Sequence, residues 1–125
     1  HSIGLITYGT LAGGILTGKY TRIPEFEEGD RRAEFYPYFR EPIWSKTLGM
    51  LDRLHPVAKK HGKTLSQLAI NWTLWQPGVT SVLVGAKNRE QAESNAEGAE
   101  WELTNDELEL VDELSSAVIQ APESV

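Results

Sequence analysis

Only two stretches of this chain suit β-strands, and they lie far apart in the sequence. Ile3–Thr7 is short, apolar and β-branched, and residues 79–84 (VTSVLV) are apolar and β-branched without clean alternation. A run without alternation suits a parallel strand buried on both faces. The order read along the chain is strand, long loop, two helices, strand, two helices. Two strands cannot close a barrel, whose interior needs about eight to be filled by side chains. A lone β–α–β–α piece leaves a sheet face and two strand edges uncovered, which favours pairing with another chain.

Residues 21–43 form one long excursion with Pro24, Pro37, Pro42, the acidic Glu25, Glu27, Glu28 and Asp30, and several aromatics. A helical turn is expected around Arg31–Phe35. Loops of this length are usually lids, binding loops or disordered segments. From about Ser45 the period is helical, with Leu51, Leu54, Ala58 and His61 on one stripe and Gly62 as the stop. Thr64-Leu-Ser-Gln67 is a capping box that opens the next helix, whose apolar face is Leu65, Leu68, Ala69, Trp72 and Trp75. Pro77-Gly78 stops it. Asn88-Arg-Glu-Gln91 is a second box, opening a helix that Gly98 ends. Thr104-Asn-Asp-Glu107 is a third, with Leu103 and Leu108 as a hydrophobic staple and Val111, Leu114 and Val118 continuing the stripe. The tail Ala121–Val125 is expected to fray.

At 125 residues and 40% hydrophobic, the chain reads as one domain, 1–125, able to bury a core. A net charge of −6 argues against a nucleic-acid binder, which needs a basic footprint. No apolar run approaches the roughly 18 residues of a spanning helix, so no membrane insertion is expected, and no signal peptide is visible. The absence of cysteine excludes a disulfide framework, a thiolate metal site and a thiol nucleophile, and fits a reducing compartment, the cytoplasm. No metal site is expected. His55 and His61 do not share a helical face at ligand spacing and read as surface or edge residues.

Both strands run into segments able to hold an anion. Tyr8 to Tyr20 read YGTLAGGILTGKY, a glycine-rich loop whose backbone N–H groups could cradle a phosphate, or an ordinary connection. Val84-Gly85-Ala86-Lys87 leads into the helix capped by Asn88, whose N-terminus carries roughly half a positive charge. Parallel strands place both loops on one edge, where such folds bind ligands. A single strand–helix–strand unit also produces that edge by default.

YGTLAGGILTGKY, the segment LSQLAINWTLWQPGVTSVLVGAKN, and Gln91 with Asn95 resemble the C-terminal portion of aldo-keto reductases. That family's usual form is close to Y-S-P-L-x-x-G-x-L-T-G-K-Y, followed later by I-P-G-A-x-x-x-x-Q-x-x-E-N. The resemblance runs from Ile3 to about Leu114. It implies an α/β fold, part of a (β/α)8 TIM barrel, holding the last two β/α units as two parallel strands with about four helices and a long loop. It also implies NADPH as cofactor and carbonyl reduction by hydride transfer. By resemblance Tyr8 stacks on the nicotinamide, against the alternative of a core tyrosine at a strand end. Gly9, Leu11 and Gly13 match the loop holding the pyrophosphate. Gly85, Ala86 and Lys87 match the loop around the 2′-phosphate, with Lys87 choosing NADP over NAD or simply solvated. Gln91 and Asn95 match the adenine contacts, although Gln91 also has a capping role available.

Gly9 stands where the family commonly has serine, Thr10 where it has proline, and Ser94 where it has glutamate. The family's proton-donating tyrosine and its lysine, aspartate and histidine partners fall upstream of everything matched here. No catalytic residue is therefore named. Tyr36 and Tyr38 lie in the loop that covers substrate in relatives. Residues 35–39 (FYPYF) would suit an apolar or aromatic carbonyl compound, or pack on a partner. Trp44, Trp72, Trp75 and Trp101, with Leu68 and Val82, could serve a subunit interface as well as a core. The expectation is a homo-oligomer or a chain lacking the other part of its barrel. A non-catalytic nucleotide-binding module, or an interaction subunit resembling potassium-channel β-subunits, is the alternative.

Overall fold

The computed structural model describes residues 1–119, so the tail expected to fray lies outside the described residues. The two expected strands pair in parallel. β1 (Leu5–Thr7) lies beside β2 (Val79–Val82), with Leu5 opposite Val79, Ile6 opposite Ser81 and Thr7 opposite Val82. The register shifts between Leu5 and Ile6, as at a β-bulge. Both strands are shorter than the apolar runs that announce them. The burial expected of both strands, on both faces for the second, is not found: Leu5 is 52% exposed and Ile6 66%, and in β2 Thr80 and Ser81 are exposed. The cause is that each strand has a single neighbour, which leaves the outer edges and much of the side-chain surface in solvent.

Residues Ala12–Thr17 wind in tight 3-10 turns after β1. The long loop contains one short helix, α1 (Arg32–Phe35), and a 3-10 turn at Pro37–Phe39. The crossover to β2 is made by α2 (Ile43–Lys60), which begins two residues before the expected start, and α3 (Leu65–Leu74). After β2 come α4 (Arg89–Glu97) and α5 (Asn105–Ile119). The box at Thr64 is complete: the Gln67 amide donates to the Thr64 hydroxyl at 3.1 Å, and the Thr64 amide to Gln67 Oε1 at 3.0 Å. The box at Thr104 closes the same way with Glu107. The middle box is only half formed. Asn88 Oδ1 accepts from the Gln91 amide at 2.9 Å, but Gln91 Oε1 accepts from the Lys87 amide, one residue earlier than expected.

The main core lies where α2, α3 and α5 meet. Leu51, Leu54 and Ala58 pack with Leu68, Leu103, Val111, Leu114 and Val118. A second cluster joins Ala12 and Ile15 of the glycine segment to Phe39 and Trp44. Phe39 meets Phe26 and Tyr20 edge-on, at 4.9 and 5.8 Å between centroids, so the long loop carries its own aromatic anchor. Trp75 leaves the expected apolar face of α3 and is 52% exposed, because the helix ends at Leu74 and the chain turns toward β2. The fully buried Asn71 takes up space on α3 instead. Its amide donates to Gly98 O and Trp101 O, and its oxygen accepts from the Leu103 amide. One side chain thus ties α3 to the link between α4 and α5.

The ends of α2 and α5 are joined by a buried carboxylate. Glu107 accepts from Lys60 Nζ at 2.9 Å and meets His61 Nε2 at 2.8 Å, and the His61 ring lies 4.9 Å from that of Trp101. Burial alone would raise the Glu107 pKa, but the bonds from Lys60, the Thr104 amide and His61 outweigh it and lower it from 4.5 to about 2. Because the folded pKa is depressed, this stabilisation is complete above about pH 4.5 and is lost as pH falls through about 2. Glu107→Gln should lower stability near neutral pH by about 1–3 kcal/mol and flatten the acid limb, as read by denaturant unfolding between pH 7 and 2.5. Leu54→Ala should cost about 2–5 kcal/mol in the same assay, without altering its pH dependence.

Candidate functional site

Parallel pairing sends the segments after β1 and β2 to the same sheet edge, and a cleft of about 960 Å³ opens between them. One wall is the glycine segment. The other is residues 83–88 with the first turns of α4. Gly9, Leu11, Gly13, Gly85, Ala86, Lys87, Gln91 and Asn95 all line this cleft. Tyr8 does not. It stands just past the end of β1 and is 77% exposed.

Thr10 joins the two walls, its hydroxyl donating to Leu83 O at 3.1 Å. Only the strand register brings that carbonyl within reach, so the sequence offered no sign of the bond.

Gly9 and Gly13 both have φ of 70°, in the left-handed region where a side chain is strained. A Cβ on Gly13 would also stand 2.9 Å from Tyr36 Cδ2 and 3.1 Å from Phe39 Cε2. Several amides of this wall are already engaged: Ala12 donates to Gly9 O, and Gly14 and Leu16 both donate to Leu11 O. On the opposite wall Gln91 receives the Lys87 amide, and Asn95 Nδ2 donates to Gly85 O at 3.2 Å. Gln91 and Asn95 therefore hold the 85–87 loop in shape, Gln91 through its side-chain oxygen and Asn95 through its side-chain nitrogen.

Three cations line the cleft: Lys19, Arg32 and Lys87, with Glu90 as the acidic lining residue. Arg32 comes from the long loop. It is fixed by a fork to Asp30, with Nε and Nη2 donating to Oδ2 at 2.9 and 2.6 Å, and its Nη1 donates to Gly13 O at 3.3 Å. The side-chain and backbone bonds from Arg32 lower the Asp30 pKa, with Lys87 adding to the effect, and Asp30 in turn raises that of Arg32. Lys19 lies over the Tyr20 ring, 4.9 Å from its centroid. Sequence reasoning named neither Lys19 nor Arg32. Lys19 had a signal, being the cation inside the glycine segment. Arg32 was one charge among many in a loop whose path only the fold decides.

The family model described as the aldo/keto reductase family matches residues 1–116. The chain belongs to this family. An aldo-keto reductase from Bacillus subtilis, YhdN, is 32% identical over 98% of this chain. An L-glyceraldehyde 3-phosphate reductase from Escherichia coli O157:H7 is 36% identical over 78% of it. A probable voltage-gated potassium channel subunit beta from Arabidopsis thaliana is 36% identical over 76%. Among solved structures, a glycerol dehydrogenase from Gluconobacter oxydans superposes with a TM-score of 0.82 at 31% identity, covering 99% of this chain. The chain spans only 37% of YhdN and of the glycerol dehydrogenase, and 29% of the other two. Its two strands and their helices are thus part of an aldo-keto reductase barrel.

Arg32→Ala should free the long loop from the glycine wall. Amide exchange at Gly13 to Thr17 should then rise about tenfold, as expected for loss of a hydrogen bond from a charged donor. Exchange in α5 should stay unchanged, and mass spectrometry resolves the two regions.

Proposed function

We propose that this chain is the cofactor-holding part of an NADPH-dependent aldo-keto reductase that reduces carbonyl compounds. The observation that carries this reading is local charge. In a chain of net charge −6, Lys19, Arg32 and Lys87 converge on one cleft with the glycine wall and the N-terminus of α4. That set suits an extended ligand bearing phosphates at separated points.

Bound NADPH would supply the hydride. Lys87, beside the capped end of α4, would receive the 2′-phosphate, and the other amide ends of Gln91 and Asn95 would face the adenine. The segment Gly9–Gly13, with Lys19 and Arg32, would hold the pyrophosphate. Tyr8 would lay its exposed ring against the nicotinamide. The proton would come from a group on the remaining strands of the barrel. Those strands would pair with the open edges of β1 and β2 and cover Leu5 and Ile6. They would belong to further polypeptide, in the cytoplasm; a second copy of this chain could cover the open edges as a homo-oligomer but would bring no proton donor of its own. A second reading, a nucleotide-binding interaction subunit, is supported by the likeness to the plant protein named as a channel subunit.

Titration with NADPH should quench tryptophan fluorescence at micromolar concentrations, and no quenching at high micromolar NADPH would sink both readings. Lys87→Ala should weaken NADPH by about tenfold or more while leaving NADH nearly unchanged, because only the former presents a phosphate to the lost cation. Binding without aldehyde-dependent oxidation of NADPH, in the fully assembled protein, would favour the second reading.

A further inference from the structure

Tyr36 is half-buried and lies against the glycine wall. Its Cδ2 is 2.9 Å from the position of a Cβ on Gly13, and its hydroxyl 3.1 Å from that of a Cβ on Gly9. The side chain therefore spans Gly9 and Gly13, two of the left-handed residues of the wall; a Cβ on Gly13 would collide with its ring, and one on Gly9 would crowd its hydroxyl. The ring is itself supported, with Tyr38 stacked at 6.3 Å and Phe35 edge-on at 5.0 Å between centroids. The Tyr36 amide donates to Arg32 O at 2.9 Å, closing the short helix whose first residue grips the Gly13 carbonyl. Gly13 is thus held at its carbonyl by Arg32 and at its α-carbon by Tyr36.

This arrangement also accounts for a departure from the family's usual form. Position 9 commonly carries serine, and a Cβ there would press on the Tyr36 hydroxyl. We propose that Tyr36 is a positioning residue that holds Gly9–Gly13 in the shape that receives the pyrophosphate, and that Gly9 is glycine to admit it. The proposal rests on the nucleotide reading above. Tyr36 acts through the loop, so its effect is confined to ligands that reach the loop.

The test compares NADPH with adenosine 2′-monophosphate, which presents a phosphate to Lys87 and none to the glycine wall. Tyr36→Ala should weaken NADPH about tenfold, as when the binding-competent loop shape falls to roughly a tenth of the population, and leave adenosine 2′-monophosphate unchanged. Tyr36→Phe, which keeps the ring, should stay within about threefold of wild type for both ligands. Gly9→Ser should cost less NADPH affinity in the Tyr36→Ala background than in wild type, because backbone strain is common to both and only the collision is relieved. Wild type binding neither compound overturns the nucleotide reading and this proposal with it. Wild type binding both, with Tyr36→Ala either matching it or losing both ligands equally, overturns the role of Tyr36 alone.

Discussion

The parallel pairing of β1 with β2 is the constraint on which the rest depends. Parallel neighbours cannot be joined by a tight turn, so the chain must cross over, and α2 and α3 are that crossover. Once the strands run the same way, the segments that leave them must face each other across one edge. The cleft follows from that geometry, and so does the bond from Thr10 to Leu83 that joins its walls. The same pairing explains the weak point of the molecule. A two-stranded parallel sheet buries little of itself, and Leu5 and Ile6 remain in solvent. Stability comes instead from the helices, where α2, α3 and α5 build the main core and Glu107 and Asn71 tie their ends.

The long loop is the second organising element. A segment with three prolines and many charges would be expected to wander, yet aromatic packing of Phe39 on Ile15 and Trp44 pins it. Its order gives the glycine wall a support from behind. Arg32 and Tyr36 both reach that wall, one by charge and one by shape, so the conformation of the cleft depends on residues that lie well beyond its own loops. Asp30 is part of the same unit, because it holds the guanidinium whose Nη1 reaches the Gly13 carbonyl.

Electrostatics separate the cleft from the rest of the surface. The chain carries more acids than bases, so an anion approaching at random meets repulsion. The sheet edge inverts that sign locally by gathering cations from three different segments: Lys19 after β1, Arg32 in the long loop and Lys87 before α4. The chain belongs to the aldo-keto reductases and spans 37% of the length of YhdN.

Local rules written in the sequence determined the strands, the helix stops and two complete capping boxes, because each depends on residues within four positions of one another. The resemblance to the aldo-keto reductases singled out nine residues, and eight of them line one cleft. The tertiary structure decided the rest. Tyr8 stands outside the cleft and is exposed. The Gln91 side chain takes the Lys87 amide in place of the Asn88 amide, while the Gln91 amide still donates to Asn88 Oδ1. Arg32, Tyr36 and Thr10 joined the site through contacts between segments distant in the chain. Such contacts leave no period and no spacing in a sequence, because they are set by how packed elements meet and not by neighbouring residues.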